Sequence, residues 1–342
     1  MIRLPAELVG RVRDAYDARR VCVTGGAGFI GGHLVDALLS LGASVRVIDD
    51  LSNSTLEHLS ELIELEPKRV RFVHGSILED RALREAIDGC DCVFHLAALG
   101  SVPRSIEEPG RTWEVNATGT LRVLEAARAT GARRVIYSAS SSAYGDTSQL
   151  PKRESDATQP LSPYAASKLA GEALCRAWSE SYALQTMSLR YFNIFGPRQP
   201  ADSAYAAVVA AFIRRLSLGQ APVIYGDGEQ SRDFTFVSNA VAANLLAGAS
   251  KREPRGEVVN IGVGERTSVN ELLARISDAL GRTGVQAVHE PARTGDVRHS
   301  QADLTRAKEL LGYRPITTLA EGVEQTVAWF TGAGSTTGDR EG

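Results

Sequence analysis

Two short stretches carry the side chains best suited to chemistry. SASSSAYGD, Ser138 to Asp146, crowds four serines ahead of Tyr144 and has no acid until Asp146. PYAASK sets Tyr164 and Lys168 four residues apart, a spacing that puts both on one face of a helix. A nearby ammonium favours phenolate over phenol. A tyrosine, ordinarily near pKa 10, then becomes a base close to neutral pH. Both features also have bland readings: such pairs occur by chance on solvent-facing helices, and hydroxyls are ordinary at strand ends. The elements that position them decide between the two.

The first of those elements is a glycine loop. TGGAGFIGGHL follows an apolar strand, RVCVTGG, and opens a helix over 29–41, with Gly25, Gly28 and Gly31 in a GxxGxxG pattern. Glycines let the backbone turn tightly and approach a pyrophosphate, which rests on helix N–H groups. The next strand, SVRVIDD, ends in Asp49, 18 residues past Gly31. An acid there binds both ribose hydroxyls of NAD and repels the 2′-phosphate of NADP. A tight turn with a capped helix would explain the glycines but not Asp49. A positively charged nicotinamide beside Tyr164 would add to the pull toward phenolate, and Lys168 would also hold the nicotinamide ribose.

The rest of the first half keeps this rhythm. VRFVHG, DCVFHLAA, RRVIYSAS and LQTMSLRYFNIFG read as further strands, separated by helical segments such as 114–130 and 162–182. Alternation with buried apolar runs predicts an α/β fold with a Rossmann-type doubly wound parallel sheet covered on both faces. After Phe195 the pattern changes to a Pro/Gly loop, a helix over 204–219, a short strand in APVIYGDG and a helix over 238–249. GEVVNIG is apolar enough to return to the large sheet, and helices follow over 268–281, 303–311 and 319–330. The expected division is an NAD-binding domain, 1–190 with 237–263 returning to it, and a smaller discontinuous C-terminal α/β substrate domain, 191–236 and 264–330. Residues 331–342, small and polar, are expected to form a disordered tail.

Bulk properties narrow the class. The chain has 342 residues, a net charge of -3 and a pI of about 6.1, which offers no basic field for nucleic acid or a membrane surface. No apolar run approaches the roughly 20 residues that span a bilayer. The N-terminal stretch mixes charge throughout, unlike a secretory leader. It reads as an amphipathic helix with Leu4, Leu8, Val12 and Tyr16 near one face, set against the first domain or a partner subunit. Cys22, Cys90, Cys92 and Cys175 lack zinc-ligand spacing and read as reduced structural thiols of a cytoplasmic protein. The histidines are scattered, so no metal site is expected.

Together TGGAGFIG, HLAA, SSSAYG and YAASK, in this order, resemble the extended short-chain dehydrogenase/reductase superfamily, and more narrowly its nucleotide-sugar 4-epimerase branch, over residues 20–330. GSVPRSIEEP, PLSPYAASK, RYFNIFGPRQ, AYAAV, GDGEQSRDF and GDVRHSQAD look most like UDP-N-acetylglucosamine 4-epimerases. The resemblance implies Tyr164, Lys168 and Ser140 as the catalytic residues. Tyr164 would take the proton from the sugar 4-OH, with Ser140 sharing the hydrogen bond, while hydride passes to a tightly bound NAD that is regenerated in each cycle. In relatives that eliminate, acids occupy the positions of Ser141 and Ser142. Elimination needs a general acid and a general base, and serine is poor at both.

Other roles follow only from the resemblance. NAD would be held by Gly25, Gly28, Phe29, Ile30 and Gly31, by Asp49 and Asn53, by Ser76 and Ile77, and by Leu96, Ala97 and Ala98. Asn116, Ser138 and Tyr191 would complete that set. Relatives often have Asp where Ser76 stands, so the adenine contact here would lack charge. The nucleotide sugar would meet Ser101, Val102 and Arg104 of the 100–106 loop, then Ser140, Ser141 and Ser142. It would also meet Asn193, Ala206, Val208, Tyr225, Arg232, Arg293, Asp296 and Ser300. Asn193 and Arg232 are implied at the diphosphate, Tyr225 at the uracil, Arg293 at phosphate and Asp296 at ribose. A bulky residue at the Ser300 position narrows the pocket around the sugar 2-substituent; serine leaves room for N-acetyl without demanding it. Arg104 keeps UDP-glucuronate open as a substrate. A dehydratase or decarboxylase of the same superfamily and a non-catalytic NAD-binding module are the remaining readings. A homodimer is implied, paired through the helices at 114–130 and 162–182.

Overall fold

The computed structural model describes residues 4–201, 207–292 and 296–333. Strands β1 (Arg20–Thr24), β2 (Ser44–Asp49), β3 (Val70–His74), β4 (Cys92–His95), β5 (Arg134–Ser140) and β6 (Gln185–Tyr191) come from the first half. Short strands β7 (Ile194–Phe195), β8 (Val223–Tyr225), β9 (Ser231–Arg232) and β10 (Thr235–Phe236) precede β11 (Arg255–Ile261), β12 (Thr267–Ser268) and β13 (Val288–Glu290). The helices are α1 (Ala6–Tyr16), α2 (Phe29–Ser40), α3 (Glu57–Leu65), α4 (Asp80–Ile87), α5 (Val102–Glu107), α6 (Pro109–Trp113) and α7 (Gly119–Ala129). After them come α8 (Pro163–Tyr182), α9 (Val208–Ser217), α10 (Val237–Ala249), α11 (Val269–Ala279), α12 (Thr305–Leu311) and α13 (Leu319–Ala333).

Seven parallel strands form the central sheet in the order β11-β6-β5-β4-β1-β2-β3. Alternation along each strand feeds two cores. Val21, Val23, Val47 and Ile136 point to the side covered by α2 and α10, while Cys22, Val93, Val135 and Tyr137 point to the side covered by α4, α7 and α8. The order reverses direction between β1 and β4, and ligands of doubly wound sheets bind beyond the strand carboxyl ends at that reversal. GEVVNIG does return to the sheet, as β11 beside β6.

Several boundaries differ from expectation. The segment expected as one helix over 114–130 begins with a π turn at Glu114–Thr118 before α7. The expected loop at 100–106 is largely α5, because Ser101 caps it by accepting the Arg104 N–H at 3.2 Å and Pro103 suits its first turn. The last helix runs to Ala333 rather than 330, and the remainder of the expected tail lies outside the described residues. The amphipathic N-terminal helix lies on the main body: Leu8, Val12 and Tyr16 are buried, and the Tyr16 hydroxyl donates to the Leu245 carbonyl of α10 at 2.7 Å. All four cysteines are free and buried. Among the described residues no helix is long and apolar enough to cross a membrane.

Candidate active site

A cavity of about 960 Å³ opens along the carboxyl ends of the strands. Its first wall is the glycine loop. Gly25 has φ +71°, and a Cβ there would sit 2.7 Å from the Ala97 nitrogen. A Cβ on Gly31 would lie 2.1 Å from the Gly25 carbonyl oxygen. Neither position admits a side chain, so the loop stays bare and folds onto the start of α2. The unpaired N–H groups at that helix end face the requirements of a diphosphate.

Asp49 stands at the next edge. Its carboxylate accepts N–H from Ala27 and from Leu51, each at 3.0 Å, and the Ser54 hydroxyl at 3.0 Å. Burial pushes its pKa up, and those three bonds hold it back. Asp50 and Ser52 also line this end, although the sequence reading passed over both. Two adjacent carboxylates suit ribose hydroxyls and oppose a third anion. A bare cradle, a helix N-terminus and a carboxylate edge therefore fit NAD. Phe29, Ile30, Asn53, Ile77, Leu96, Ala97, Ala98, Ser138 and Tyr191 share this wall.

The candidate reacting pair is positioned by α8. Ser162 caps it, accepting the Ala165 N–H at 3.1 Å, and Pro163 occupies its first turn. Tyr164 and Lys168 follow on one face and both line the cavity. Burial pushes the Tyr164 phenol up, and the Ser140 hydroxyl pulls it back. Burial draws Lys168 down to about 8, against the charge of Glu172. Its Nζ lies 4.8 Å from the centre of the Tyr137 ring. Ser140 ends β5 and caps the following 3-10 turn, accepting the Ser142 N–H at 3.2 Å, with its Oγ 2.8 Å from the Ser142 Oγ. Ser141 and Ser142 complete this wall.

A buried relay braces the floor. The Ala97 N–H reaches the Thr24 hydroxyl at 3.2 Å, Thr24 meets His95 Nδ1 at 2.8 Å, and His95 Nε2 meets Thr120 at 2.9 Å. Thr120 donates to the Asn116 carbonyl at 2.6 Å. The chain of donors assigns the His95 proton to Nε2. Burial, reinforced by Lys168, draws its pKa to about 3, so the ring stays neutral. Asn116 itself sits in the π turn and clamps Leu99: its Oδ1 accepts the Leu99 N–H at 2.8 Å and its Nδ2 donates to the Leu99 carbonyl at 3.2 Å. Leu99 lines the cavity; Asn116 does not. The only sequence signal for this relay was a histidine inside a buried strand.

At the other end Ser101, Val102, Asn193, Arg232, Asp296 and Ser300 line the cavity. Arg232 and Asp296, read separately as phosphate and ribose contacts, pair with each other at 2.8 Å. Arg104 lines the wall, but its guanidinium donates to Asn53 Oδ1 at 3.0 Å and to Glu108 at 3.3 Å. Lys152, absent from the sequence reading, is a wall residue only 1% exposed, and its ammonium donates to the hydroxyl and carbonyl of Thr147. Three further expected contacts stand off the wall. The Ser76 hydroxyl accepts the Leu78 N–H at 3.3 Å inside its own turn. Val208 opens α9 and packs against the core. Tyr225 belongs to β8, paired with β13. Ala206 and Arg293 lie outside the described residues.

Known proteins resemble this chain over most of its length. The model of the NAD dependent epimerase/dehydratase family matches residues 21–262. A UDP-glucose 4-epimerase of Mycolicibacterium smegmatis is 40% identical over 313 residues, covering 91% of this chain and 98% of that one. The solved UDP-N-acetylglucosamine 4-epimerase of Methanobrevibacter ruminantium M1, in complex with UDP-N-acetylmuramic acid, superposes with a TM-score of 0.86 at 38% identity, over 93% of this chain and 99% of that one. The UDP-glucose 4-epimerase of Thermus thermophilus, in complex with NAD, gives 0.82 at 33% identity, over 92% of this chain and 99% of that one.

Proposed function

The chain belongs to the NAD-dependent epimerase/dehydratase family, and on that premise we propose that it is a UDP-sugar 4-epimerase whose preferred pair is UDP-GlcNAc and UDP-GalNAc, with UDP-glucose and UDP-galactose as further substrates. The observation that carries epimerisation is the wall beside Tyr164. It presents Ser140, Ser141 and Ser142, whereas the carboxylates of the described cavity wall, Asp49, Asp50 and Asp296, belong to its two ends. A site without an acid near Tyr164 supports transfer at one carbon and not loss of a neighbouring hydroxyl.

NAD, held by the Gly25–Gly31 loop and Asp49, supplies reversible hydride acceptance when bound. The chain's own residues then have three tasks. Tyr164 takes the proton from the sugar O4 and later returns one. Ser140 donates or accepts at the same oxygen, keeping Tyr164 and O4 in register. Lys168, as an ammonium, stabilises the phenolate electrostatically and meets the nicotinamide ribose. A ketone at C4 exists only between the two proton transfers, and the sugar must present its other face before the second. Arg232 and Asn193 are assigned to the diphosphate, and Asp296 to the uridine ribose. Substrate entry therefore exchanges the Arg232–Asp296 pair for phosphate and hydroxyl partners.

Ser300 supports the N-acetyl preference. It is 8% exposed, lies on the wall and has the bulk of a hydroxymethyl group. A UDP-uronate is the second reading, and the specific observation favouring it is the buried Lys152 cation on the wall. Against it, both of its described donor contacts satisfy Thr147, and Arg104 is engaged by Asn53 and Glu108. We also assign the chain to a reducing compartment, on its free buried thiols, and to a homodimer formed through α7 and α8.

Proton NMR of the purified protein with UDP-GlcNAc, UDP-glucose and UDP-glucuronate, without added NAD, tests this function. Galacto-configured anomeric signals arising fastest from UDP-GlcNAc are expected. Conversion of UDP-glucuronate alone would transfer the site to the second reading. No epimer from any of the three, even with NAD added, would remove the epimerase assignment.

A further inference from the structure

Behind the reacting pair lies an ion pair that the chemistry above leaves without a task. Glu172 stands one helical turn beyond Lys168 on α8. Its two oxygens receive Arg190 Nε at 2.8 Å and Arg190 Nη2 at 2.7 Å, and each side chain is 4% exposed. Burying two charges is costly, and apolar residues of equal volume often serve stability as well or better. A pair kept in such a place points to a use for its charge.

The pair is oriented. Its guanidinium end lies 4.6 Å from the centre of the Tyr144 ring, and the Tyr144 hydroxyl donates to Asn260 Oδ1 at 2.7 Å. Its carboxylate end stands one turn of α8 from Lys168 and favours the charged lysine. The other titratable groups around Lys168 are uncharged near neutral pH. The Tyr137 ring of β5 lies 4.8 Å away, and burial pushes its phenol up. His95 of β4 is held neutral by burial. Cys175 and Tyr164, on α8 itself, are both pushed up by burial. Among these described groups Glu172 is therefore the standing anion that answers the lysine.

We propose that Glu172, paired with Arg190, is a positioning residue for the charge of Lys168: it holds the lysine as an ammonium inside a buried wall and sets the alkaline limit of activity. This rests on Tyr164 and Lys168 being the reacting pair. Burial draws Lys168 down to about 8 while Glu172 opposes the fall. Without the carboxylate the folded pKa drops further. The ammonium form, populated below that pKa, is then lost at lower pH, and the alkaline limb moves down with it.

The test uses the holoenzyme with Cε-labelled lysine. Lys68, Lys152, Lys251 and Lys308 supply the other signals, and Lys168→Met identifies the one of interest. Carbon NMR then reads the Lys168 titration without any turnover. Glu172→Gln should lower its midpoint by about one pH unit or more, whereas Glu172→Asp, which keeps the charge, should leave it within about half a unit. In parallel, kcat for Glu172→Gln should fall about fivefold near pH 8 and less than about threefold near pH 6.5, with KM unchanged, since a one-unit drop from about 8 takes the ammonium fraction at pH 8 from about one half to about one eleventh. If Glu172→Gln does not fold, the neutral double variant Glu172→Gln/Arg190→Gln, read by the same titration, takes its place. An unmoved midpoint overturns the proposal, as does a fall in kcat by one factor at every pH. If Glu172→Gln moves the lysine midpoint but the wild type makes no epimer, the proposed function fails while the assignment of the Lys168 charge to Glu172 stands.

Discussion

Replacing Ser140 by alanine separates a catalytic hydroxyl from a merely structural one, because the structure gives that hydroxyl two jobs of different size. It caps the 3-10 turn by accepting the Ser142 N–H at 3.2 Å. Losing a cap costs about 1 kcal/mol, or about 2 °C in melting temperature for a chain of this size. It also stands where it can serve a Tyr164 phenolate, and it opposes the rise that burial imposes on that phenol. A hydrogen bond to a charged group is worth about 1.5–3 kcal/mol. Ser140 Oγ also faces Ser142 Oγ at 2.8 Å, so the lower half of that range applies. About 1.5–2 kcal/mol corresponds to a Tyr164 pKa higher by about 1–1.5 units. The phenolate is the working form and is populated above that pKa. The acidic limb of the kcat profile should therefore move up by about one unit. Below the limb kcat should fall about 10–30-fold, recovering part of the loss as pH rises. Initial rates of UDP-GlcNAc conversion from about pH 6 to 10 measure this, with Ser140→Thr as the control that keeps a hydroxyl. A uniform loss across the whole range, with the limb unmoved, would refute the claim that Ser140 tunes Tyr164.

Three further substitutions probe the cavity from end to end. Gly31→Ala drives a methyl to 2.1 Å from the Gly25 carbonyl oxygen, where backbone must give way, so the purified protein should carry no NAD by ultraviolet absorbance and should melt at a lower temperature; retention of NAD at one per chain would contradict the assigned loop. Asp49→Asn removes the charge that opposes a 2′-phosphate and should narrow the ratio of NADP to NAD dissociation constants by about tenfold, about 1.4 kcal/mol, by titration calorimetry; an unchanged ratio would move coenzyme choice elsewhere. Ser300→Tyr should lower kcat/KM for UDP-GlcNAc at least about tenfold relative to UDP-glucose, since one misplaced group in a pocket is worth about 1–3 kcal/mol; equal effects on both sugars would sink the size argument at that position.

What the sequence made legible was local. A glycine loop between a buried strand and a helix, a Tyr/Lys pair four apart behind Ser162 and Pro163, and alternating apolar strands each signal themselves within a short window. What stayed hidden depends on residues far apart in the chain. Arg232 and Asp296 read as two separate ligand contacts, yet they pair across 64 positions. Arg104 read as a free cation for a uronate, yet Asn53, 51 positions earlier, takes its guanidinium. Lys152 sits in an unremarkable PKRE run and joins the wall because its backbone N–H donates to the Gln301 carbonyl at 2.8 Å. The π turn at 114–118 gives no compositional sign at all.

The hidden contacts share a physical character. Those of Arg232, Asp296 and Arg104 fix the charge or freedom of residues whose identity was already readable. Tyr164 and Lys168 are recognisable by spacing, but burial pushes the first up and the second down, and both shifts oppose the phenolate–ammonium state that the proposed chemistry requires. That state is recovered by Ser140 from the strand end and by Glu172 from one turn further along α8, with Arg190 of β6 paired to Glu172. Identity at the site is thus set by α8, and competence by the strands that meet it. Substitutions in β6 that touch no ligand should accordingly alter the pH range of activity before they alter substrate affinity.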